Sequence, residues 1–217
     1  FINVWLEDEP WGYAPARGPV ARLGMSYKLR DAAAVDGYPW VDPWDGLCVW
    51  QGEYAPVSSS FGVGWGSRWL SYVTVCEDMV PESDQLVIRP PGRGFLLMYL
   101  ESNQEASEPV YLRRAVVRRL RNGQGQQIGW ELDYPSGERY QYAQAAAWLF
   151  GKTTYFLTRF VDRSDQALEF EYETVEKTCE PGYPQTIVRL ARLRDAVGAV
   201  STLGYTNLTY TNLVTSI

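Results

Sequence analysis

Apolar and polar residues alternate with a period of two along much of this chain. The clearest case is Tyr155 to Glu173, YFLTRFVDRSDQALEFEYE. Leu168, Phe170 and Tyr172 alternate with Glu169, Glu171 and Glu173, so one face is apolar and the other acidic. Phe156 to Val161 precedes them, and Asp162-Arg163-Ser164-Asp165-Gln166 is a polar break. The stretch predicts an antiparallel hairpin. Val20 to Leu29 alternates as Ala21, Leu23, Met25 and Tyr27 against Arg22, Gly24, Ser26 and Lys28, and predicts another strand. Phe1 to Leu6 predicts a strand ended by Glu7-Asp8-Glu9-Pro10. Trp69 to Cys76, Gln85 to Arg89 and Phe95 to Leu100 predict three more, with a turn at Pro90-Pro91-Gly92. Val110 to Arg121 fits both periods: Leu112, Val116 and Leu120 suit a helix face and equally alternate positions of a strand. Asn122-Gly123 then marks a hairpin turn. Ala143 to Phe150 has helical propensity and predicts one or two helical turns in a connection.

The hairpin design recurs 33 residues later in RLARLRDAVGAVSTLGY. Leu157 matches Leu190, Arg159 matches Arg192, Asp162 matches Asp195 and Tyr172 matches Tyr205. A weaker hairpin precedes both: Trp130, Leu132 and Tyr134 alternate, Pro135-Ser136-Gly137 turns the chain, and Tyr140 and Tyr142 alternate again. A repeated unit that cannot bury its own apolar face implies stacking of neighbours into one sheet. The expected fold is therefore all-β, with antiparallel hairpin repeats forming a curled sheet. At the end of the chain YTNL occurs twice, five residues apart. An odd period would put the copies on opposite faces of one strand, so a break is expected near Asn207.

These residues resemble the RHS/YD-repeat family. Its repeats run roughly Leu-x-Arg-x-x-Asp, a Gly-containing turn, then a strand closing on Tyr-Asp. Leu157, Arg159, Asp162 and Tyr172 fit, as do Leu190, Arg192, Asp195, Gly198 and Tyr205. The residue after the tyrosine departs from the pattern, being Glu173 in one copy and Thr206 in the other. Asp165 stands where a glycine is usual. Upstream, Phe61-Gly62-Val63-Gly64-Trp65 followed by Trp69-Leu70-Ser71-Tyr72 is similar to the stretch that opens RHS regions. The resemblance covers about Phe61 to Asn207. It implies part of a β-cocoon shell in a large secreted or cell-surface protein, enclosing a toxin or effector. The expected organisation is N-terminal strands and an aromatic loop in 1–60, then the repeat region in 61–217. Partners would be further repeats of the same chain, identical copies, or an enclosed polypeptide cargo. The turn residues Asp162, Asp195 and Gly198, the tyrosines Tyr172 and Tyr205, and the Phe61 to Trp65 corner would fix register and close the wall.

Composition sharpens this picture. The 217 residues are 46% hydrophobic and 14% aromatic, with nine Trp and fifteen Tyr, which favours strands. The formal net charge of −6 argues against nucleic acid as the main partner. No apolar run is long enough to span a bilayer as a helix. No leader is visible, and the opening on Phe1 rather than Met suggests a processed protein or a piece of a larger one. Cys48, Cys76 and Cys179 force neither a metal motif nor a disulfide framework.

The loop Asp36 to Gly52 offers other chemistry. Tyr38, Trp40, Trp44 and Trp50 would suit a glycan-stacking platform, and Asp36, Asp42 and Asp45 carry hard oxygens for Ca²⁺. The alternative is a loop whose aromatics plug a sheet end, and the missing EF-hand spacing favours it over a metal site. With no histidine, Ser-His-Asp and Cys-His catalysis are excluded. Glycoside hydrolysis needs only two carboxylates, but nothing singles out a pair among Asp42, Asp45, Glu53 and Asp78. No catalytic residue, metal or cofactor is expected. Five arginines between Val110 and Arg121 are read as facing solvent or pairing with Glu169, Glu171 and Glu173, rather than as a phosphate contact.

Overall fold

The computed structural model describes residues 5–28, 40–41, 48–49, 65–67, 69, 71–76, 83–91, 96–110, 113–147, 152–180, 183–207 and 212–216. These residues form an all-β protein. The strands are β1 (Trp5–Tyr13), β2 (Ala21–Lys28), β3 (Trp40–Val41), β4 (Cys48–Val49), β5 (Trp65–Ser67) and β6 (Tyr72–Cys76). Then come β7 (Ser83–Arg89), β8 (Leu96–Glu101), β9 (Val116–Arg121), β10 (Gln127–Asp133), β11 (Arg139–Ala147) and β12 (Lys152–Val161). The last are β13 (Ala167–Glu180), β14 (Tyr183–Arg194), β15 (Val200–Thr202), β16 (Gly204–Asn207) and β17 (Asn212–Ser216). No helix occurs among the described residues, and the sheets do not close into a barrel.

Ten strands form one antiparallel sheet. Its main path runs β15-β14-β13-β12-β11-β10-β9, and a branch runs from β12 through β6 and β7 to β8. The sheet forks on β12. Arg159 to Val161 pair with β13, whereas Lys152 to Phe156 pair, on the edge β13 has left, with β6. Beyond the fork β13 pairs with β14. The strands β1, β2 and β5 make a smaller sheet, and β3–β4 and β16–β17 are separate pairs.

Burial follows the fork. Phe156 and Leu157 are neighbours in sequence, face opposite sides, and are both fully buried. Leu157 joins the main core with Val73, Val75, Leu86, Ile88, Trp130, Leu132 and Leu193. Ala21 and Leu23 of β2 join the same core, so the small sheet packs on the large one. Phe156 packs on the other side against Tyr72, Ala146 and Val188. A strand buried on both faces reads as a continuous apolar run rather than a strict alternation.

Several local expectations are corrected. Ala143 to Ala147 extend β11 instead of forming helical turns; ladder pairing outweighs alanine's helical propensity, and Ala146 is buried in one cluster with Tyr72, Phe156 and Val188. Glu7-Asp8-Glu9-Pro10 does not end the first strand. The chain bulges between Asp8 and Trp11 and continues to Tyr13, with Pro10 on an edge strand where no ladder donor is needed. The ambiguous stretch resolves as a strand only from Val116. Its arginines do not reach the glutamates of β13: Arg118 pairs with Asp133, Arg119 with Asp84 and Arg121 with Glu105. The break at Asn207 coincides with the end of β16.

Candidate functional site

The repeat hairpins are built on one turn geometry, used four times. The residues opening these turns are Asn122, Tyr134, Asp162 and Asp195. In each, the opening N–H donates to the carbonyl four residues on, and the opening carbonyl accepts from the N–H three residues on. That third position has a positive φ in every case: Gly125, Gly137, Asp165 and Gly198. Three of the four are glycine because a side chain there is strained. Asp165 is the exception, and its carboxylate pairs with Arg139. Asp162, Asp195 and Asn122 also fold their side chains over the turn. In each, Oδ1 accepts the amides two and four residues on, at 2.8–3.0 Å.

Four residues before each aspartate the ladder is interrupted. Gln141 faces Arg159 and Tyr142 faces Leu157, so Thr158 is skipped. Glu171 faces Arg192 and Tyr172 faces Leu190, so Ala191 is skipped. Each skipped residue is a bulge, and it lets Leu157 and Phe160, like Leu190 and Leu193, turn into the same core despite a spacing of three. The carbonyls beside the bulges are taken by tyrosines. The Tyr172 hydroxyl donates to the Leu157 carbonyl at 2.7 Å, and the Tyr205 hydroxyl to the Leu190 carbonyl at 2.5 Å. The N–H of Leu157 donates to the Ser71 carbonyl, and the Ser71 and Tyr142 hydroxyls are 3.0 Å apart. The fork is thus hydrogen-bonded on both sides. Burial pushes the ionisation of Tyr142, Tyr172 and Tyr205 above the usual phenol range.

The acidic face of β13 is neutralised by arginines of its neighbours. Arg159 faces Glu169, Arg192 and Arg194 reach Glu171, and Arg189 binds Glu173 at 2.6 Å. Arg189 also lies over the Tyr205 ring, with Cζ 4.6 Å from its centroid. The exposed pairs among these contribute roughly 0–1 kcal/mol each.

Two further contacts tie distant elements to this unit. The Tyr13 hydroxyl donates to Asp195 Oδ2 at 2.6 Å, pinning the small sheet to the last repeat turn. Burial works against the Asp195 charge but is outweighed by the Tyr13 hydroxyl and the amides of Ala199, Val197 and Gly198, so Asp195 titrates below the usual carboxylate range. Tyr13 is pushed up to about 12 by burial and by its bond to Asp195. At the other end Arg119 joins β7, β9 and β10. It donates to Asp84 Oδ2 at 2.7 Å, Gln127 Oε1 at 2.8 Å and the Gln104 carbonyl at 3.0 Å, and lies over the Trp130 ring.

Of the remaining sequence candidates, those among the described residues lie on separate strands. Trp40 lies on β3 opposite Val49, and Trp65 opens β5 opposite Tyr27. Tyr38, Trp44, Trp50, Phe61, Gly62 and Gly64 lie outside the described residues, as do Asp36, Asp42, Asp45, Glu53 and Asp78. Cys48 faces Val41 on β3, Cys76 faces Gln85 on β7 and Lys152 on β12, and Cys179 lies on β13. Among the described residues no group of three or more His, Cys, Asp or Glu is placed to hold a metal ion. No described helix is long and apolar enough to cross a membrane. Sequence reasoning missed Tyr13, and it missed that Val117, Arg119, Leu120 and Asn122 repeat the spacing of Leu157, Arg159, Phe160 and Asp162. The spacing was the available signal. In that earlier copy the Val117 carbonyl accepts the Ser107 N–H at 2.9 Å instead of a tyrosine hydroxyl.

No protein-family model and no curated protein matches the chain. Among solved structures it is similar to the N-terminal domain of the effector protein SpvB from Salmonella typhimurium strain LT2. The TM-score is 0.46 at 15% identity, over 94% of this chain and 70% of that one.

Tyr172→Phe and Tyr205→Phe keep the ring and leave a carbonyl without its donor. Each is expected to lower stability by about 1–3 kcal/mol in urea unfolding. Leu97→Met, at a half-exposed side chain on β8, is expected to change it by under about 0.5 kcal/mol. Equal midpoints for the three would remove the tyrosine lock.

The Asp195 bond has a pH signature. A carboxylate titrating low in the folded state binds more protons when unfolded. Its contribution is complete above about pH 5 and is lost as pH falls through the folded value. Asp195→Asn keeps a turn acceptor, as Asn122 does, and removes the titrating group. The variant is expected to lose less stability than the parent between about pH 5 and pH 2. Parallel curves would show that Asp195 titrates as an exposed carboxylate.

Proposed function

We propose that the chain is a structural scaffold, a segment of an RHS-type β-sheet shell of a secreted or cell-surface protein that encloses a polypeptide toxin or effector. One observation carries this reading: the same tyrosine-to-leucine-carbonyl bond, fifteen residues apart in sequence, occurs in two units 33 residues apart. A device repeated in register builds wall, and its tyrosines, aspartates and arginines are used in holding strands together. In this role the chain performs no catalysis.

A wall segment carries edges for its neighbours. β15 ends the main path of the large sheet, and Val197 and Val200 beside that edge are 53% and 49% exposed. An open apolar edge templates pairing with another strand. The isolated chain is therefore expected to associate at micromolar concentration in light scattering and electron microscopy, and Val200→Lys is expected to block association without lowering the unfolding midpoint. Leu203 is buried, so a charge there would unfold the hairpin rather than test its edge. A monodisperse, stable monomer would overturn assembly through this edge.

A further inference from the structure

The hairpin β16–β17 repeats the feature that defines the unit. Gly204 faces Ser216 and Tyr205 faces Val214, so Thr215 is skipped. This matches Glu171 facing Arg192 and Tyr172 facing Leu190 with Ala191 skipped. Val214 therefore takes the position of Leu157 and Leu190, and Thr215 that of Thr158 and Ala191. Ile217 falls in sequence where Phe160 and Leu193 fall. No periodicity shows this copy, because its connection is shorter. Eighteen residues separate Tyr172 from Leu190, and nine separate Tyr205 from Val214.

The outer edge of β15 belongs to the same unit. β15 pairs with β14 as β13 pairs with β12: Arg192 faces Thr202 as Arg159 faces Glu169. On its far side, that part of β13 pairs with β14, through Glu169 and Arg194. The matching side of β15 carries no strand among the described residues. The Leu203 N–H points inward to the Ala191 carbonyl, so by alternation Val200 and Thr202 turn their backbone groups outward. The exposed Val197 and Val200 stand where the first copy has Ser164 and Ala167.

We propose that residues 204–216 are a third, shortened copy of the unit. Together with the outer edge of β15 they form a docking surface for a further hairpin of the same unit, entering in register with β17. Its tyrosine hydroxyl would donate to the Val214 carbonyl from fifteen residues further on, as Tyr172 does for Leu157 and Tyr205 for Leu190. Its incoming strand would pair with Thr202, as Arg194 pairs with Glu169. This rests on the scaffold reading and adds the phase in which the next hairpin must enter.

The phase is testable by extension. Residues 194–216 are appended directly after Ile217, which places the added tyrosine fifteen residues beyond Val214. A control inserts one glycine at the junction, and a second replaces the added tyrosine by phenylalanine. The in-phase chain is expected to unfold at higher urea and to slow hydrogen exchange of the Thr202 amide at least tenfold. Both effects should vanish with the glycine, and the midpoint gain should shrink with the phenylalanine. Equal behaviour of the in-phase and glycine-shifted chains, or unfolding of the in-phase chain, would overturn the third copy. If that happens while Val200→Lys still blocks association, the scaffold reading survives without it. A gain from the extension with a monomeric parent chain would keep the third copy and remove self-assembly.

Discussion

Everything in the large sheet depends on one backbone problem and its solution. At Leu157 the strand β12 changes partner, from β13 to β6. A change of partner beside a bulge leaves a buried carbonyl outside the ladder, and an unpaired buried carbonyl costs about 1–3 kcal/mol. Tyr172 closes that gap from a strand that has already parted from β12. Because its hydroxyl reaches back across the fork, β13 is held near β12 after their ladder has ended. The two branches can then separate and bury Phe156 on one side and Leu157 on the other. Tyr205 does the same for β14.

The other interactions support that arrangement. The turn aspartates fix where each hairpin reverses, which sets the position of the tyrosine ten residues later. Opposite charges across β12, β13 and β14 add modest energy, but they disfavour a slipped register, in which glutamates would meet apolar neighbours. Tyr13 and Arg119 act at the two ends, one pinning the small sheet to the last turn and the other joining β7 to β9 and β10. The acidic face of β13 is thus matched by arginines supplied from the adjacent strands.

Strand content and the turns were legible because they are local. Alternation at Leu168, Phe170 and Tyr172 and the Asp-x-x-Gly turn at Asp195 are statements about neighbours in sequence. The fork was not legible, since nothing in YVTVC marks it as the strand that replaces β13 against β12. The spacing of three in Leu157–Phe160 and Leu190–Leu193 likewise departs from a strand period, and only the skipped Thr158 and Ala191 explain it. Ala143 to Ala147 misled because alanine's helical preference is a property of the isolated segment, whereas its place here is set by Tyr72 and Phe156. The tyrosines were recognised as repeat markers, but their bonds to carbonyls fifteen residues back require the folded register.

The central claim is that tyrosine hydroxyls hold the bulged strands where the ladder fails. Native-state hydrogen exchange tests it most directly. The N–H of Leu157, bonded to Ser71, and the N–H of Leu203, bonded to Ala191, lie beside the two capped carbonyls. Tyr172→Phe should speed exchange at Leu157 well beyond its effect at Leu203, and Tyr205→Phe should do the reverse, with Val117 little changed by either. Unchanged protection at both amides, or a uniform loss at all three, would contradict the tyrosine lock.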